Sequence, residues 1–351
     1  MKKELLMGTA LVSTLGAASI AEAVTATMSG NHQTGLTFKS PNSGTDTTAQ
    51  IEDNNFSVSL SETTDAGMTI SSSFMLANET MGGTDGDAGF SLAFTDGSKL
   101  DVINAGNASG SHDISIPSSA GAEGITAATT NNAPGGLDFM TAATVYGVEY
   151  HTASDFLMDG LTMSFSASTD NQAAAGATYA VNSHLAVGGT YVSSLGDSAV
   201  TIGFGFSETD GDKTSTEMTS DEGGFHVGVS AVTGDLTVAV GIADGDSIEN
   251  VSATDTNSVQ NDGEYVAAGA KYVSGDLTFN VGFASGTSKD SDTIGTAGTT
   301  EDSLDSVSAS VSYAVASGVT AYLGYSDSDA EDEGAASTDG SAWYIGANMS
   351  F

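Results

Sequence analysis

From residue 24 onward, apolar and polar residues alternate with a period of two, segment after segment. Leu161, Met163 and Phe165 stand opposite Thr162, Ser164 and Ser166, and Val200, Ile202, Phe204 and Phe206 opposite Thr201, Gly203, Gly205 and Ser207. Leu236, Val238, Val240 and Ile242 repeat the pattern, as do Leu277, Phe279, Val281 and Phe283. Val307, Ala309, Val311, Tyr313 and Val315 face away from Ser306, Ser308, Ser310 and Ser312. Successive side chains of a strand point to opposite faces, so this period predicts strands with one oily and one wettable face. Helical periods are missing. Beyond the first residues no stretch approaches the eighteen apolar residues that a membrane-crossing helix needs.

The alternating segments run about nine to twelve residues, the length of a tilted strand crossing a bilayer. Their connections fall into two sets. One is tight: Thr64 to Gly67, Thr95 to Ser98, Val232 to Asp235, Val273 to Asp276 and Ala316 to Gly318. The other is long, polar and acidic: residues 79–87, 105–141, 207–222, 243–262, 286–303 and 326–340. Short turns at one end and long loops at the other are how outer-membrane barrels are built, whereas a soluble sandwich has no reason to segregate loop length. The pattern therefore predicts an all-β fold: a transmembrane antiparallel up-and-down β-barrel with short periplasmic turns and long acidic extracellular loops.

Segmentation yields 17 candidate strands, from 24–38 to 341–351. Single-chain bacterial barrels hold an even number. Loop parity breaks between residues 168 and 207, so one short candidate near 174–182 or 184–193 is surplus, and 16 strands are expected. Tyr150, Tyr272, Tyr313, Tyr325 and Trp343 fall near expected strand ends, where an interfacial aromatic girdle belongs.

The first residues read as an export signal. Lys2 and Lys3 precede an apolar stretch from Leu5 to Ile20, and Ala21-Glu22-Ala23 is an A-x-A cleavage site. Residues 1–23 are thus expected to be removed, leaving 24–351 as one barrel domain with a pore-folded loop at about 105–141.

Charge changes the picture further. Forty-five acidic residues face seven basic ones, all lysine, for a formal net charge of −38. Nucleic acid is excluded as a partner, because phosphate neutralisation needs Lys and Arg. With no cysteine, stability cannot rest on disulfides. Nucleophile elbows, phosphate loops and H-E-x-x-H are absent, so no enzymatic activity is expected and no cofactor is required.

By parity the inward face is mostly Ser, Thr and Gly, a wall suited to hydrated solutes. Its charged or titratable exceptions are Lys39, Lys99, Asp101, Glu149, His151, His226 and Lys271. Most acid is expected in the long loops, over one mouth of the pore. Asp210/Asp212, Asp244/Asp246 and the cluster Asp327, Asp329, Glu331, Asp332 and Glu333 have D-x-D or denser spacing, which converges oxygen ligands for calcium. Two readings stay open for each of these groups: solvated acid, or an ordered divalent cation. His32 falls mid-strand on the outward face with Met28 and Leu36, which implies either a register-flipping bulge or a covering subunit.

The two ends of the chain resemble the Gram-negative trimeric porins. Val24-Thr25-Ala26-Thr27-Met28-Ser29-Gly30, leading to Gly35-Leu36, is similar to that family's first strand. Ala342 to Phe351, with Trp343, Ile345, Met349 and the terminal Phe351 alternating, resembles its closing strand and the signal read by the outer-membrane assembly machinery. The resemblance implies 16 strands, a homotrimer in lipid and lipopolysaccharide, and a third loop folded into each pore. Here that loop is 105–141, and its acids Asp113, Glu123 and Asp138 become candidates for the constriction. Many such porins set arginines on the opposite wall, and this chain has none. The implied function is passive diffusion of small hydrophilic solutes and ions, with preference for cations. A substrate-specific outer-membrane channel and an exported calcium-binding structural or adhesive surface protein are the alternatives.

Overall fold

The computed structural model describes residues 24–41, 44–77, 89–102, 107–118, 147–171, 181–211, 220–250, 258–291, 300–331 and 339–351. Sixteen strands follow one another in these segments. They are β1 (Thr25–Pro41), β2 (Thr47–Thr63), β3 (Thr69–Ala77), β4 (Phe90–Ala93), β5 (Lys99–Val102), β6 (Gly147–His151), β7 (Leu161–Asn171) and β8 (Val181–Leu195). After them come β9 (Ser198–Gly211), β10 (Ser220–Thr233), β11 (Leu236–Asn250), β12 (Ser258–Ser274), β13 (Leu277–Ser291), β14 (Thr300–Ala316), β15 (Val319–Glu331) and β16 (Gly340–Ser350). Each pairs antiparallel with its neighbours in sequence, and β1 closes on β16, with Leu36 opposite Ile345 and Phe38 opposite Trp343. No helix among the described residues is long and apolar enough to cross a membrane.

The surplus candidate is resolved: one strand, β8, begins at Val181 and runs to Leu195. The tight turns form where expected because glycine takes positive φ at no steric cost. Gly234 and Gly275, at φ 58° and 62°, open Gly-Asp turns whose twist matches that of the flanking strands.

The barrel is inverted relative to a soluble protein. Phe279, Val281, Ile345 and Trp343 are exposed on the outside, while Gln33, Thr37, Ser164 and Ser166 are buried inside. Lipid supplies the partner for the oily face, and closure of the sheet pairs the backbone that lipid cannot. Tyr325 and Trp343 stack with centroids 4.7 Å apart at the upper edge of the apolar band.

Two expectations change. Many strands are longer than twelve residues, and β12 and β14 reach 17. The ladders continue to Gly211, Asn250, Ser291 and Glu331, well into the ranges expected to be loops. Apolar alternation marks only the part of a strand that meets lipid, whereas backbone pairing carries on above it with polar side chains. Conversely, among the described residues β4 and β5 span four residues each and β6 five.

The second change concerns acid. Asp244 lies opposite Glu264 and Asp246 opposite Asp262, on the same face as Ile242 and Val266. Asp305 pairs with Asp329 and Val307 with Asp327. Glu208, Asp210, Asp327, Asp329 and Glu331 are all exposed and alternate with buried Ser207, Thr209, Ser326, Ser328 and Ala330. These acids form an outward collar above the aromatic edge. They do not line the mouth, as the sequence had suggested.

His32 also finds its place. It is in regular register with Asn54 on β2 and Met349 on β16, so no bulge in β1 accounts for it. Its Nδ1 is hydrogen-bonded to Asn54 Oδ1, and Asn54 Nδ2 donates to Glu52 Oε1 at 3.1 Å. With Thr34 they make a polar patch inside the outward apolar band.

Candidate functional site: the pore constriction

The described part of the third long loop, residues 107–118, folds inside the barrel. It begins with a single 3₁₀ turn, Gly110–His112, then runs extended across the inner wall. The wall has been cleared for it. Gly203 lies opposite Gly228, Gly228 opposite Gly241, and Gly269 opposite Gly282, so glycines are cross-strand neighbours along the path. A Cβ added at Gly228 would stand 2.7 Å from Ile114 Cβ, and one at Gly282 2.9 Å from Pro117 O. Real Cβ atoms do not approach so closely, so the glycines let the loop backbone lie against the sheet.

Polar contacts fix the register of the loop. The Ala108 N–H donates to Ser166 Oγ at 3.0 Å, and Ser111 Oγ donates to Glu149 Oε1 at 2.7 Å. His112 lies between two wall hydroxyls: Nδ1 is 2.7 Å from Thr190 Oγ1 and Nε2 is 2.8 Å from Ser164 Oγ. Burial, and then the nearby His151 and His226 rings, hold the His112 imidazole down to a pKa of about 4, so it is neutral at physiological pH. On β10, His226 Nε2 is 2.8 Å from Asp113 Oδ1 and 2.9 Å from the Ser109 carbonyl. The Asp113 side chain is nevertheless 55% exposed, leaving its carboxylate in contact with the lumen.

The foot of the loop touches a compact charged cluster on β5 and β6. Lys99 lies opposite His151 and Asp101 opposite Glu149. Lys99 Nζ is 2.7 Å and His151 Nε2 2.9 Å from Asp101 Oδ2, and His151 Nε2 is 3.6 Å from Glu149 Oε1. Ser91 Oγ donates to the other Asp101 oxygen, and His151 Nδ1 is 2.7 Å from Ser164 Oγ. Ser164 thus joins His151 to His112, wall to loop.

Across the lumen, Tyr344 is fully buried against the wall. Its ring crowds the places where Cβ atoms would stand at Gly35 and Gly346, and its hydroxyl accepts from Gln33 Nε2 at 2.9 Å. A large aromatic laid flat this way does not obstruct the channel.

Of the residues singled out from sequence, Asp101, Glu149, His151, His226 and Asp113 come together around the loop. Lys39 and Lys271 sit elsewhere on the inner face, opposite Ala342 and Thr237. Asp210, Asp244, Asp246, Asp327, Asp329 and Glu331 lie in the outer collar, while Glu123, Asp138, Asp212, Asp332 and Glu333 fall outside the described residues. Trp343, Ile345, Met349 and Phe351 are exposed on the outer surface, and Phe351 exchanges backbone hydrogen bonds with Gly30 at 3.1 and 3.2 Å. Sequence reasoning missed the role of His112 and the apolar anchors Ile114 and Ile116. The signal for them was an inward glycine on successive strands, visible only once the register is known.

Comparison with known proteins agrees with this architecture. A family model described as Gram-negative porin matches residues 8–333. No curated protein matches. Among solved structures, the anion-selective porin of Comamonas acidovorans superposes with a TM-score of 0.65 at 9% identity, covering 93% of this chain and 100% of that one. The trimer form of OmpT, an outer membrane protein of Vibrio cholerae, gives 0.61 at 15% identity, covering 94% and 100%. A variant of the Rh. blastica porin gives 0.56 at 14% identity, covering 93% and 100%.

Proposed function

The chain belongs to the Gram-negative porin family, and on that premise we propose that it is an outer-membrane channel for passive diffusion of small hydrophilic solutes and ions, with a preference for cations. The observation that carries the preference is the exposed Asp113 carboxylate, held at the lumen by a loop seated on the wall, in a chain without a single arginine. A fixed negative charge at a narrow point raises the local concentration of cations and repels anions. Fold alone does not set the sign, since the Comamonas acidovorans neighbour is anion-selective. Inward lysines oppose the acids here, but Lys99 is already paired with Asp101.

The working unit we propose is a homotrimer. A similar OmpT structure is a trimer form, and the polar patch of His32, Glu52 and Asn54 lies on a surface where lipid would be an unfavourable neighbour. A substrate-specific channel has less support, because the large inward Tyr344 lies flat and no aromatic row projects into the lumen among the described residues.

Planar-bilayer recording of the purified protein tests this reading. Stepwise conductance and a reversal potential that follows potassium across a KCl gradient are expected. Absence of steps overturns the channel, and a reversal potential following chloride overturns the preference. The selectivity should shrink near 1 M salt, where the Debye length is about 3 Å.

A further inference from the structure

We propose that Asp101, Glu149 and His151 form a binding site for a borderline divalent metal cation such as Zn2+, set in the pore wall at the foot of the loop. One ligating atom from each residue lies within 4.8 Å of the other two. The separations of His151 Nε2 from Asp101 Oδ2 and Glu149 Oε1, 2.9 and 3.6 Å, bracket the edge of a small tetrahedral shell. A mixed set of one imidazole and two carboxylates suits Zn2+ and its neighbours in the transition series rather than Ca2+, which takes six to eight oxygens. Three protein ligands leave the fourth position to water from the lumen.

Two features of the backbone and burial point the same way. Asp101 and Glu149 are directly opposite each other on β5 and β6, a placement where like charges destabilise a sheet. Glu149 is 2% exposed, and no lysine lies within ion-pair distance of it among the described residues. A cation shared by both carboxylates removes that repulsion. Each ligand is also held by a serine: Ser91 on the second oxygen of Asp101, Ser111 on Glu149 Oε1 itself and Ser164 on the remote nitrogen of His151. Outer partners of this kind orient metal ligands. Lys99 is the built-in competitor. Its ammonium holds Asp101 Oδ2 at 2.7 Å, and its side chain, 42% exposed, has room to swing away when a metal takes that oxygen. Because Ser111 belongs to the loop and Glu149 to the wall, an occupied site clamps the two together.

Calorimetric titration of the full-length protein in detergent with Zn2+ provides one readout, with Mg2+ as the hard-cation control. Zn2+ added to single channels in a bilayer provides the second. Saturable Zn2+ binding is expected, weakened by more than about tenfold in His151→Ala and in Glu149→Gln, since loss of even an outer partner of a metal ligand costs about 10–100-fold. Lys99→Gln should bind several-fold more tightly, an effect opposite to that of general damage to the barrel. Current through wild-type channels should be reduced by Zn2+ and restored by a chelator. Binding that is absent, or equal in wild type and His151→Ala, overturns the site. A protein that binds Zn2+ in the calorimeter but forms no channels leaves the site standing and overturns the proposed channel function instead.

Discussion

Gly228 on β10 lies directly under Ile114 of the infolded loop, so close that a Cβ on the glycine would be 2.7 Å from the isoleucine Cβ. Gly228→Val should therefore push the loop off the wall and toward the axis. Overpacking of this kind costs about 1–3 kcal/mol. Single-channel conductance should fall. Gly223→Ala is the control, since a Cβ there meets nothing nearer than 3.9 Å, and its conductance should match wild type.

His112 predicts how the seat responds to acid. Its pKa is lowered from 6.5 to about 4, so the seated loop favours the neutral ring. That contribution is complete above pH 6.5 and is lost as pH falls toward 4, where the displaced loop has already taken up a proton. The window corresponds to about 3 kcal/mol. Current noise from loop movement should rise as pH is lowered from 6.5 to 4, and His112→Gln should flatten that dependence. An identical pH profile in wild type and variant would rule out this role.

Asp113→Asn removes the lumen-facing charge while keeping a side chain that can bond His226. The ratio of potassium to chloride permeability should drop a few-fold, the scale of one unit charge acting over a few ångströms in water. Reversal potentials measure it directly. Asp327→Asn, in the outer collar, should change the ratio far less, because its side chain is on the other side of the sheet from the pore.

The outward patch yields a prediction about assembly. His32→Leu breaks the bond to Asn54 and replaces a polar contact surface with an oily one. Trimers should dissociate at a lower temperature on semi-native gels, while each barrel still shows the heat-modifiable mobility of a folded monomer. Unchanged trimer stability would argue that lipid, not protein, covers this face.

Much of the barrel was legible because alternation is a local property: the faces of β9, β11, β13 and β16 follow from single residues in order. What could not be read depends on pairing. Asp244 and Asp327 looked like loop acids because apolar alternation ends at Ile242 and Tyr325, yet the ladder carries on through them and its parity turns them outward. The cluster of Asp101, Glu149 and His151 was visible only as scattered inward positions, since residues 101 and 151 meet through the register of β5 with β6. Export by residues 1–23 stays an expectation, as that stretch falls outside the described residues.

The unequal strand lengths imply where this cylinder would tear. Around most of its circumference a strand of 13 residues or more is bonded to both neighbours, and sliding one out means breaking two long ladders together. Between β3 and β7 the described wall is stitched by strands of four, four and five residues. Pulled from the membrane by one end, the protein should resist in large steps along the long ladders and yield at lower force along this seam, where Ser111 and Ser164 tie loop and wall together.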